Sequence, residues 1–522
     1  MPADPGAAAS SHPPTRPPAR PPAIPPAHPP AHPPARPPAW PDATALAQAL
    51  RRGEVTSREL VTEALRRADS DRLGAFVTVT PELALAAADR ADALLGSTRR
   101  DGAEGPGAGA GGLPPLLGVP TAVKDLTATA GVRTTYGSAA TLDTVPTVSA
   151  EVVLRMERAG LVSIGKTNTP EFGAPCYTEP DVAPPARTPW DPDRSAGGSS
   201  GGSAVAVSTG IVPIAHGSDG GGSLRIPASV CGLVGFKPSR GLVSSAPGVL
   251  DLLGLSAHGC LSRTVRDTAS FLDAVAGPAP GDALWSAGGG GLVAAVATDP
   301  GPLLIARGVR PVLAPDAPVD AAVLDAWEDT TELLRSLGHE VVDVEFGLPD
   351  VVRAGFPLVW GIGFAATDLP PGTEHLLRPL TRWLRETAGG ARAVDVARAQ
   401  QAFRQAAFDL SAALAGFDAV LTPTLARLPA AVGGLRDDAD PAADFTAQTR
   451  FTPWTALWNA TGVPAVSLPL GWTAGPDPLP IGLMLAGRAG GDRPLLSLAG
   501  SLERARPWAH LAPGPSGAAV VA

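Results

Sequence analysis

Lysine is almost absent from this chain of 522 residues: it occurs only as Lys124, Lys166 and Lys237, and arginine fills the other basic positions. A buried lysine can release its proton near neutral pH, whereas arginine cannot. Each remaining lysine is therefore a candidate for a task that arginine cannot perform. A compositional bias toward arginine would explain the scarcity of lysine, but not where the three residues lie. Asparagine is rarer still and occurs only as Asn168 and Asn459.

Cysteine and long apolar runs are also scarce. Cys176, Cys231 and Cys260 are an odd number without the spacing of a metal site, so we expect buried thiols in a reducing, cytoplasmic environment. No run reaches the roughly 18 apolar residues of a membrane span, and the N-terminus lacks the pattern of a secretory signal. The net charge of −9 argues against nucleic-acid or anionic-membrane partners.

The N-terminal segment has the composition of a disordered arm. Pro-Pro pairs recur through residues 1–41, and such a segment cannot bury a core, so we predict a polyproline-like, disordered conformation. A ligand for a partner domain is the alternative interpretation. We predict one domain over residues 42–512 and a flexible tail over residues 513–522.

Within that domain, short apolar runs alternate with helical patterns, which is typical of a sheet wrapped by helices. Thr56 and Glu59 form the pattern of a capping box before a helix that ends near residue 69. A surface loop is predicted at the glycine-rich residues 97–112. Further helices are predicted at residues 42–52, 81–95 and 319–337, and strands at 118–123, 162–165, 205–209, 230–235, 340–346, 418–422 and 465–470.

Three segments carry residue types that suit nucleophilic catalysis. Residues 217–227 (GSDGGGSLRIP) place three glycines before Ser223. A serine that attacks a carbonyl carbon must be exposed at a tight turn where backbone N–H groups converge, and glycines permit such a turn. Residues 197–203 (GGSSGGS) enter an apolar element, so they present hydroxyl and N–H groups at a fixed place. An ordinary glycine-rich turn and a flexible linker are the respective alternatives.

The third segment, residues 118–125 (GVPTAVKD), places Lys124 at the end of an apolar strand. A charged lysine there is costly, and burial lowers a lysine pKa, which would make Lys124 a usable general base. The alternative is a lysine that extends to the surface. His216 precedes the glycine-rich turn, but no His–Asp arrangement accompanies it, so a histidine-based triad is disfavoured.

Together these segments closely resemble the amidase signature family. The similarity continues through residues 165–173 (GKTNTPEFG), 189–202 (PWDPDRSAGGSSGG), 231–241 (CGLVGFKPSRG) and 459–465 (NATGVPA), and it covers about residues 42–510. It implies an α/β fold, with a single α/β/α domain around a large mixed β-sheet. Thr188 stands where the family commonly has asparagine, which puts the local bonding of that loop in question.

The resemblance implies a Ser–Ser–Lys mechanism. Ser223 would be the nucleophile that forms the acyl-enzyme, and Lys124 would act as its base through Ser199, which the family holds on a cis peptide bond. The oxyanion hole would consist of the backbone N–H groups of Gly220, Gly221, Gly222 and Ser223. The residues implied to support this set through hydrogen bonds are Ser200, Ser218, Asp219 and Arg225.

The implied function is hydrolysis of a small-molecule carboxamide, assigned to linear amides, without a metal or organic cofactor. The Gly-Gly-Gly-Ser form of the nucleophile turn also resembles amidases that act on small or cyclic amides. Alternatives are the glutaminase subunit of a tRNA-dependent amidotransferase, a non-catalytic binding protein of the same fold, and acyl transfer or ester cleavage at the same site. Glutaminase subunits tend to have Arg-Gln-Pro where residues 225–227 read RIP. No nucleic-acid or membrane partner is expected, and a homodimer stays open. Substrate selectivity is expected in loops of residues 125–140, 170–187 and 350–460. Candidates for the pocket wall are Trp360, Trp454 and Trp458, with packing in the core as the alternative.

Overall fold

The computed structural model describes residues 42–100, 112–248, 254–286 and 288–508. The predicted proline-rich arm (1–41) and tail (513–522) lie outside the described residues, and so does most of the predicted loop at 97–112. The start of that loop belongs instead to a helix, which runs to Arg100 rather than to residue 95.

The strands of the described residues, in chain order, are short. They are β1 Phe76–Val79, β2 Pro120–Lys124, β3 Val162–Thr167, β4 Ile214–Asp219, β5 Val234–Lys237, β6 Ala257–Ser262, β7 Leu304–Arg307, β8 Glu340–Asp343, β9 Ala419–Pro423, β10 Ala465–Trp472 and β11 Pro480–Gly487.

The helices begin before the first strand and recur throughout the described residues. They are α1 Ala43–Arg52, α2 Ser57–Asp69, α3 Pro81–Arg100, α4 Glu151–Arg158, α5 Gly201–Ser208, α6 Arg225–Cys231, α7 Val265–Val275, α8 Leu292–Ala297, α9 Ala321–Ser336, α10 Asp350–Ala365, α11 Pro379–Gly389, α12 Ala393–Ala413, α13 Pro441–Phe451, α14 Thr455–Thr461 and α15 Asp492–Ala505.

Two sheets organise these elements. The larger has eight strands in the order β4-β6-β5-β10-β11-β9-β7-β8 and the smaller has three in the order β1-β3-β2. The larger sheet is mixed, because β7 runs parallel to both of its neighbours whereas the other pairs are antiparallel. The prediction of an α/β fold with a large mixed sheet is confirmed.

The two sheets meet where β2 lies beside β4. The hydroxyl of Thr121, near the start of β2, donates to the carbonyl of Ile214, the first residue of β4, at 2.9 Å. The two strands therefore begin side by side, and their carboxyl ends carry Lys124 and Asp219 to the same end of the molecule. This junction places the residues that sequence analysis singled out next to one another.

Sequence patterns located most elements, with two errors among the apolar runs. The capping box of Thr56 and Glu59 is present in full, with both reciprocal hydrogen bonds. The predicted strand at 205–209 is wrong, because those residues fall in and just after α5, whose side chains are buried all round and so show no helical period. The predicted strand at 230–235 combines the end of α6 with the start of β5, separated by Gly232, whose φ of +69° ends the helix.

The core of the described residues is built from aliphatic side chains of both sheets and of the helices against them. Cys176, Cys231 and Cys260 are buried and free, as predicted for thiols without a redox role. Among the helices of the described residues, none is both long enough and apolar enough to cross a lipid bilayer.

Candidate active site

Strand β2 carries Lys124 into the interior. Every residue of this strand is buried, and Lys124 is 0% exposed. Its Nζ atom lies 2.8 Å from the Oγ of Ser199 and contacts the Oγ and carbonyl oxygen of Ser218 at 3.2 and 3.3 Å. Burial lowers the pKa of Lys124 to about 7, although the nearby carboxylate of Asp219 opposes this change. A sizeable fraction of this lysine is therefore neutral at physiological pH and able to accept a proton.

The other two lysines are also buried. Lys166 donates to the hydroxyls of Thr129 and Thr134 at 3.1 and 3.0 Å, and Lys237 donates to the carbonyl of Pro238 at 2.8 Å. Burial lowers the pKa of Lys166 to about 8 and that of Lys237 to about 7. None of the three lysines is a surface charge, as their scarcity indicated.

Ser199 sits in a tightly enclosed turn. The peptide bond between Gly198 and Ser199 is cis, and the hydroxyl of Thr169 donates to the carbonyl of Ser199 at 2.9 Å. A Cβ atom on Gly198 would lie 2.9 Å from the backbone of Tyr177, so only glycine fits this approach. The turn therefore holds the Ser199 hydroxyl against Lys124.

Ser223 occupies the turn between β4 and α6, where its side chain lines a cleft. The backbone N–H of Ser200 donates to the Ser223 carbonyl at 3.3 Å, and the Ser200 hydroxyl donates to the carbonyl of Ser218 at 3.2 Å. Within the described residues, the Ser223 hydroxyl has no hydrogen-bond partner. The structure thus joins Lys124 to Ser199 directly, and joins Ser223 to that turn through its backbone only.

A buried ion pair supports the turn that carries Ser223. The carboxylate of Asp219 accepts two hydrogen bonds from the guanidinium of Arg225, at 2.8 and 2.9 Å, and one from the amide of Asn459 at 2.9 Å. Both charged side chains are 0% exposed. Burial alone would raise the pKa of Asp219, but the charge of Arg225 and the hydrogen bonds from Arg225 and Asn459 together outweigh burial and hold this pKa well below its usual range.

The same carboxylate bonds the backbone of the turn. Asp219 accepts from the N–H of Gly222 at 2.8 Å and from that of Leu224 at 3.1 Å. The Gly222 amide therefore bonds Asp219 in this structure, and its role as an oxyanion donor stays a prediction. The N–H groups of Gly220, Gly221 and Ser223 donate to no acceptor among the described residues.

The cleft in front of Ser223 is small and partly open to solvent, with a cavity volume of about 50 Å³. Trp360, one of the predicted wall residues, lines it, whereas Trp454 and Trp458 are 0% and 2% exposed and belong to the core. The remaining lining residues are Pro175, Cys176, Gly221, Ile226, Leu313, Phe356, Phe445, Gln448, Thr449, Thr452 and Ala456.

His216 contacts a second histidine rather than Ser223. Its Nε2 lies 3.1 Å from Nδ1 of His258 on the neighbouring strand β6, and both rings are buried. Burial lowers the pKa of His216 well below its usual range and that of His258 to about 4, so the pair is neutral at physiological pH. Among the described residues, no group of three His, Cys, Asp or Glu side chains is arranged to hold a metal ion.

Sequence reasoning missed the partner of the ion pair, and it located most of the cleft wall only to the broad ranges 170–187 and 350–460. Asn459 carries a signal in hindsight, because it is one of two asparagines and here bonds Asp219. Thr188, where asparagine is common in the family, uses its hydroxyl to bond the carbonyl of Val230 at 2.7 Å. Phe356, Phe445 and Gln448 gave no signal, because they lie on helices more than 120 residues from Ser223.

Comparison with known proteins identifies close relatives of this architecture. The family profile described as Amidase matches residues 59–496. A Synechocystis protein named "Putative amidase" is 34% identical, over 88% of this chain and 87% of that protein. The structure of a 6-aminohexanoate cyclic dimer hydrolase aligns with a TM-score of 0.80 and 30% identity, over 91% of this chain and 99% of that one. A bacterial aryl acylamidase of the amidase signature family aligns with a TM-score of 0.77 and 25% identity, over 90% and 97%.

We expect the Arg225→Met variant to lose about 3–5 kcal/mol of the free energy of unfolding, because it leaves the Asp219 carboxylate buried without its counter-charge. Urea denaturation followed by circular dichroism at pH 7 measures this loss. Arg58→Met is the control, because Arg58 pairs with Asp89 in an exposed salt bridge and should cost less than about 1 kcal/mol. Equal losses in the two variants would contradict a structural role for the buried pair.

We expect Lys237→Met to flatten the pH dependence of stability between pH 7.5 and 9.5. The pKa of Lys237 is about 7 in the folded chain and about 10.5 when exposed, so across this window the unfolded state binds one proton more. Wild-type stability should therefore gain about 1.4 kcal/mol per pH unit from this residue as pH rises, and the variant should lack this gain. The same slope in wild type and variant would show that Lys237 stays charged.

Proposed function

This chain belongs to the amidase signature family, and we propose that it hydrolyses a linear carboxamide through an acyl-enzyme on Ser223. The observation that carries the proposal is the 2.8 Å contact between Ser199 and a fully buried Lys124 whose pKa is lowered to about 7. Ser223 lines the cleft beside this pair, and its hydroxyl has no hydrogen-bond partner among the described residues. Amide hydrolysis needs a base and a nucleophile in this relation.

Proton transfer would begin at Lys124. The neutral amine accepts the proton of the Ser199 hydroxyl, and Ser199 accepts that of Ser223, once substrate brings the Ser223 hydroxyl into line. Hydrogen bonds of catalytic groups often tighten only when substrate is bound, which accounts for the unpartnered Ser223 hydroxyl of the free protein. The contacts of Lys124 with Ser218 keep the amine oriented toward Ser199.

Attack by the Ser223 oxygen forms a bond to the carbonyl carbon and places a negative charge on the carbonyl oxygen. The N–H groups of Gly220, Gly221 and Ser223 would donate to that oxyanion, while Asp219 holds the Gly222 amide and with it the shape of the turn. The proton then passes back through Ser199 to the leaving nitrogen, and the C–N bond breaks. Water, activated by the same chain, cleaves the ester on Ser223 and releases the carboxylic acid.

The rival functions find less support. A non-catalytic binding protein would not require a buried lysine with a lowered pKa against a serine hydroxyl. A glutaminase subunit must bind an α-ammonium and an α-carboxylate, and no charged side chain among the described residues lines the cleft. The cyclic dimer hydrolase acts, by its name, on a cyclic amide, so a substrate panel should include cyclic amides beside linear ones.

We expect a fluorophosphonate probe to label Ser223 covalently, because the probe reacts with an activated serine hydroxyl. Peptide mass spectrometry locates the label. Ser223→Ala should lose it and should lose amide turnover by about a thousandfold or more, whereas Ser336→Ala, a change at an exposed serine on α9, should keep both. Labelling that persists in Ser223→Ala would remove Ser223 from the nucleophile role.

We expect kcat/KM for an amide to rise with pH through an apparent pKa near 7 and to level off above it, because only the neutral form of Lys124 accepts a proton. Below this pKa the rate should fall about tenfold per pH unit. Lys124→Met should lower kcat/KM by roughly 10²- to 10⁴-fold while the circular dichroism spectrum stays unchanged. Near wild-type activity in Lys124→Met would place the base elsewhere.

A further inference from the structure

We propose that the cleft beside Ser223 is an uncharged aromatic acyl pocket, which selects neutral carboxamides with an apolar acyl group. The inference rests on the proposed function, because it concerns the substrate of the same site. For a primary carboxamide the acyl substituent is the only organic group, so this substituent must occupy the cleft when the carbonyl carbon lies at Ser223. The properties of the cleft wall therefore define the substrate class.

Aromatic side chains form one side of the cleft. Phe356 and Trp360, both on α10, stack with their ring centroids 5.9 Å apart. The ring of Phe445, on α13, packs against that of Phe356 with a centroid distance of 5.9 Å as well. Ile226 and Leu313 extend this apolar surface. Such a wall gains free energy from apolar groups in proportion to the area that it removes from water, and it prefers flat or branched groups that pack against rings.

Trp360 connects the wall with the reaction centre. A Cβ atom on Gly221 would lie 3.1 Å from the far edge of the Trp360 indole, so this ring already packs against the backbone that would receive the oxyanion. The indole N–H already donates to the carbonyl of Ala174 at 3.3 Å. An acyl group that leaves the carbonyl carbon on this side meets the apolar face of the ring.

Two threonines and one glutamine of the wall already donate hydrogen bonds to other groups of the protein. Thr449 donates its hydroxyl to the carbonyl of Thr446 at 2.8 Å, and Thr452 donates to the carbonyl of Gln448 at 3.0 Å. The Gln448 amide oxygen accepts from the backbone of Cys176 at 2.9 Å, and its NH₂ group donates to Asp444 at 2.6 Å. These groups offer a charged substrate little compensation for the water that it loses.

No charged side chain among the described residues lines the cleft. The carboxyl group of Asp444, to which Gln448 donates, is 1% exposed. It also accepts a hydrogen bond from the hydroxyl of Tyr177 at 2.6 Å. Burial raises the pKa of the Cys176 thiol well above its usual range, so this lining residue is neutral too. A charged acyl group would enter the cleft without a counter-charge, which is costly.

The test compares three amides of nearly equal length: hexanamide, 6-aminohexanamide and the monoamide of adipic acid. We expect kcat/KM for neutral hexanamide to exceed that for the cationic and anionic compounds by about 100-fold, and to exceed that for acetamide by a similar factor. Equal or faster turnover of either charged amide would overturn the inference. N-butylacetamide, an isomer of hexanamide, carries its apolar group on the amine side, and its faster turnover would overturn the assignment to the acyl group.

A charge introduced into the wall should change this order. Thr449→Lys places an ammonium in the cleft, and we expect it to raise the ratio of kcat/KM for adipic monoamide over hexanamide by at least about tenfold. Thr446→Lys is the matched control, because Thr446 lies one turn earlier on α13, is exposed and does not line the cleft. A shift of equal size in both variants, or none in Thr449→Lys, would show that this wall does not contact the acyl group.

A second variant tests the aromatic side independently. Trp360→Leu should lower the ratio of kcat/KM for hexanamide over acetamide by about tenfold or more, because the longer acyl chain contacts more of the ring. An equal loss on both substrates would contradict the inference. If Ser223 takes the fluorophosphonate label and amides turn over but charge makes no difference, only the pocket inference fails. If Ser223 takes no label and no amide turns over, the proposed function itself fails.

Discussion

The ion pair between Asp219 and Arg225 is the constraint on which the site depends. Two charges without access to water require partners on every side, and here Asn459 and the backbone amides of Gly222 and Leu224 complete the set. The residues that satisfy the Asp219 carboxylate are also those that shape the turn carrying Ser223. The shape of the turn and the stability of the buried pair are therefore properties of one hydrogen-bond network.

The same network sets the chemistry of Lys124. Asp219 is close enough to favour the charged lysine, but the direct bonds of this carboxylate go to Arg225, so burial dominates and the lysine pKa falls. A carboxylate bonded directly to Lys124 would hold the proton on the amine and remove the base. Arginine at position 124 could not be neutral under any of these conditions, which explains why lysine remains there in a chain that otherwise uses arginine.

The site is formed by elements that lie far apart in the chain. The chemical groups come from β2, the turn before α5 and the turn after β4, all within residues 120–225, whereas the aromatic wall comes from α10 and α13. The segment around Lys124, Ser199 and Ser223 is polar, whereas the wall is mostly apolar and carries no charged side chain among the described residues. Reactivity and substrate choice rest on different segments of the chain, which contact each other where Trp360 packs against Gly221 and where the backbone of Cys176 bonds Gln448.

The sequence by itself determined the elements with a strong local cause and the residues of the reactive centre. The capping box of α2, the amphipathic α9 and the strand that ends at Lys124 are set by patterns a few residues long, and glycine turns and rare lysines marked the site. Tertiary structure alone decided that 205–209 is helical, that Gly222 bonds Asp219, and that Phe356 and Phe445 face Ser223. Burial on all sides erases periodicity, and contacts across more than 100 residues depend on how the elements pack rather than on neighbouring residues.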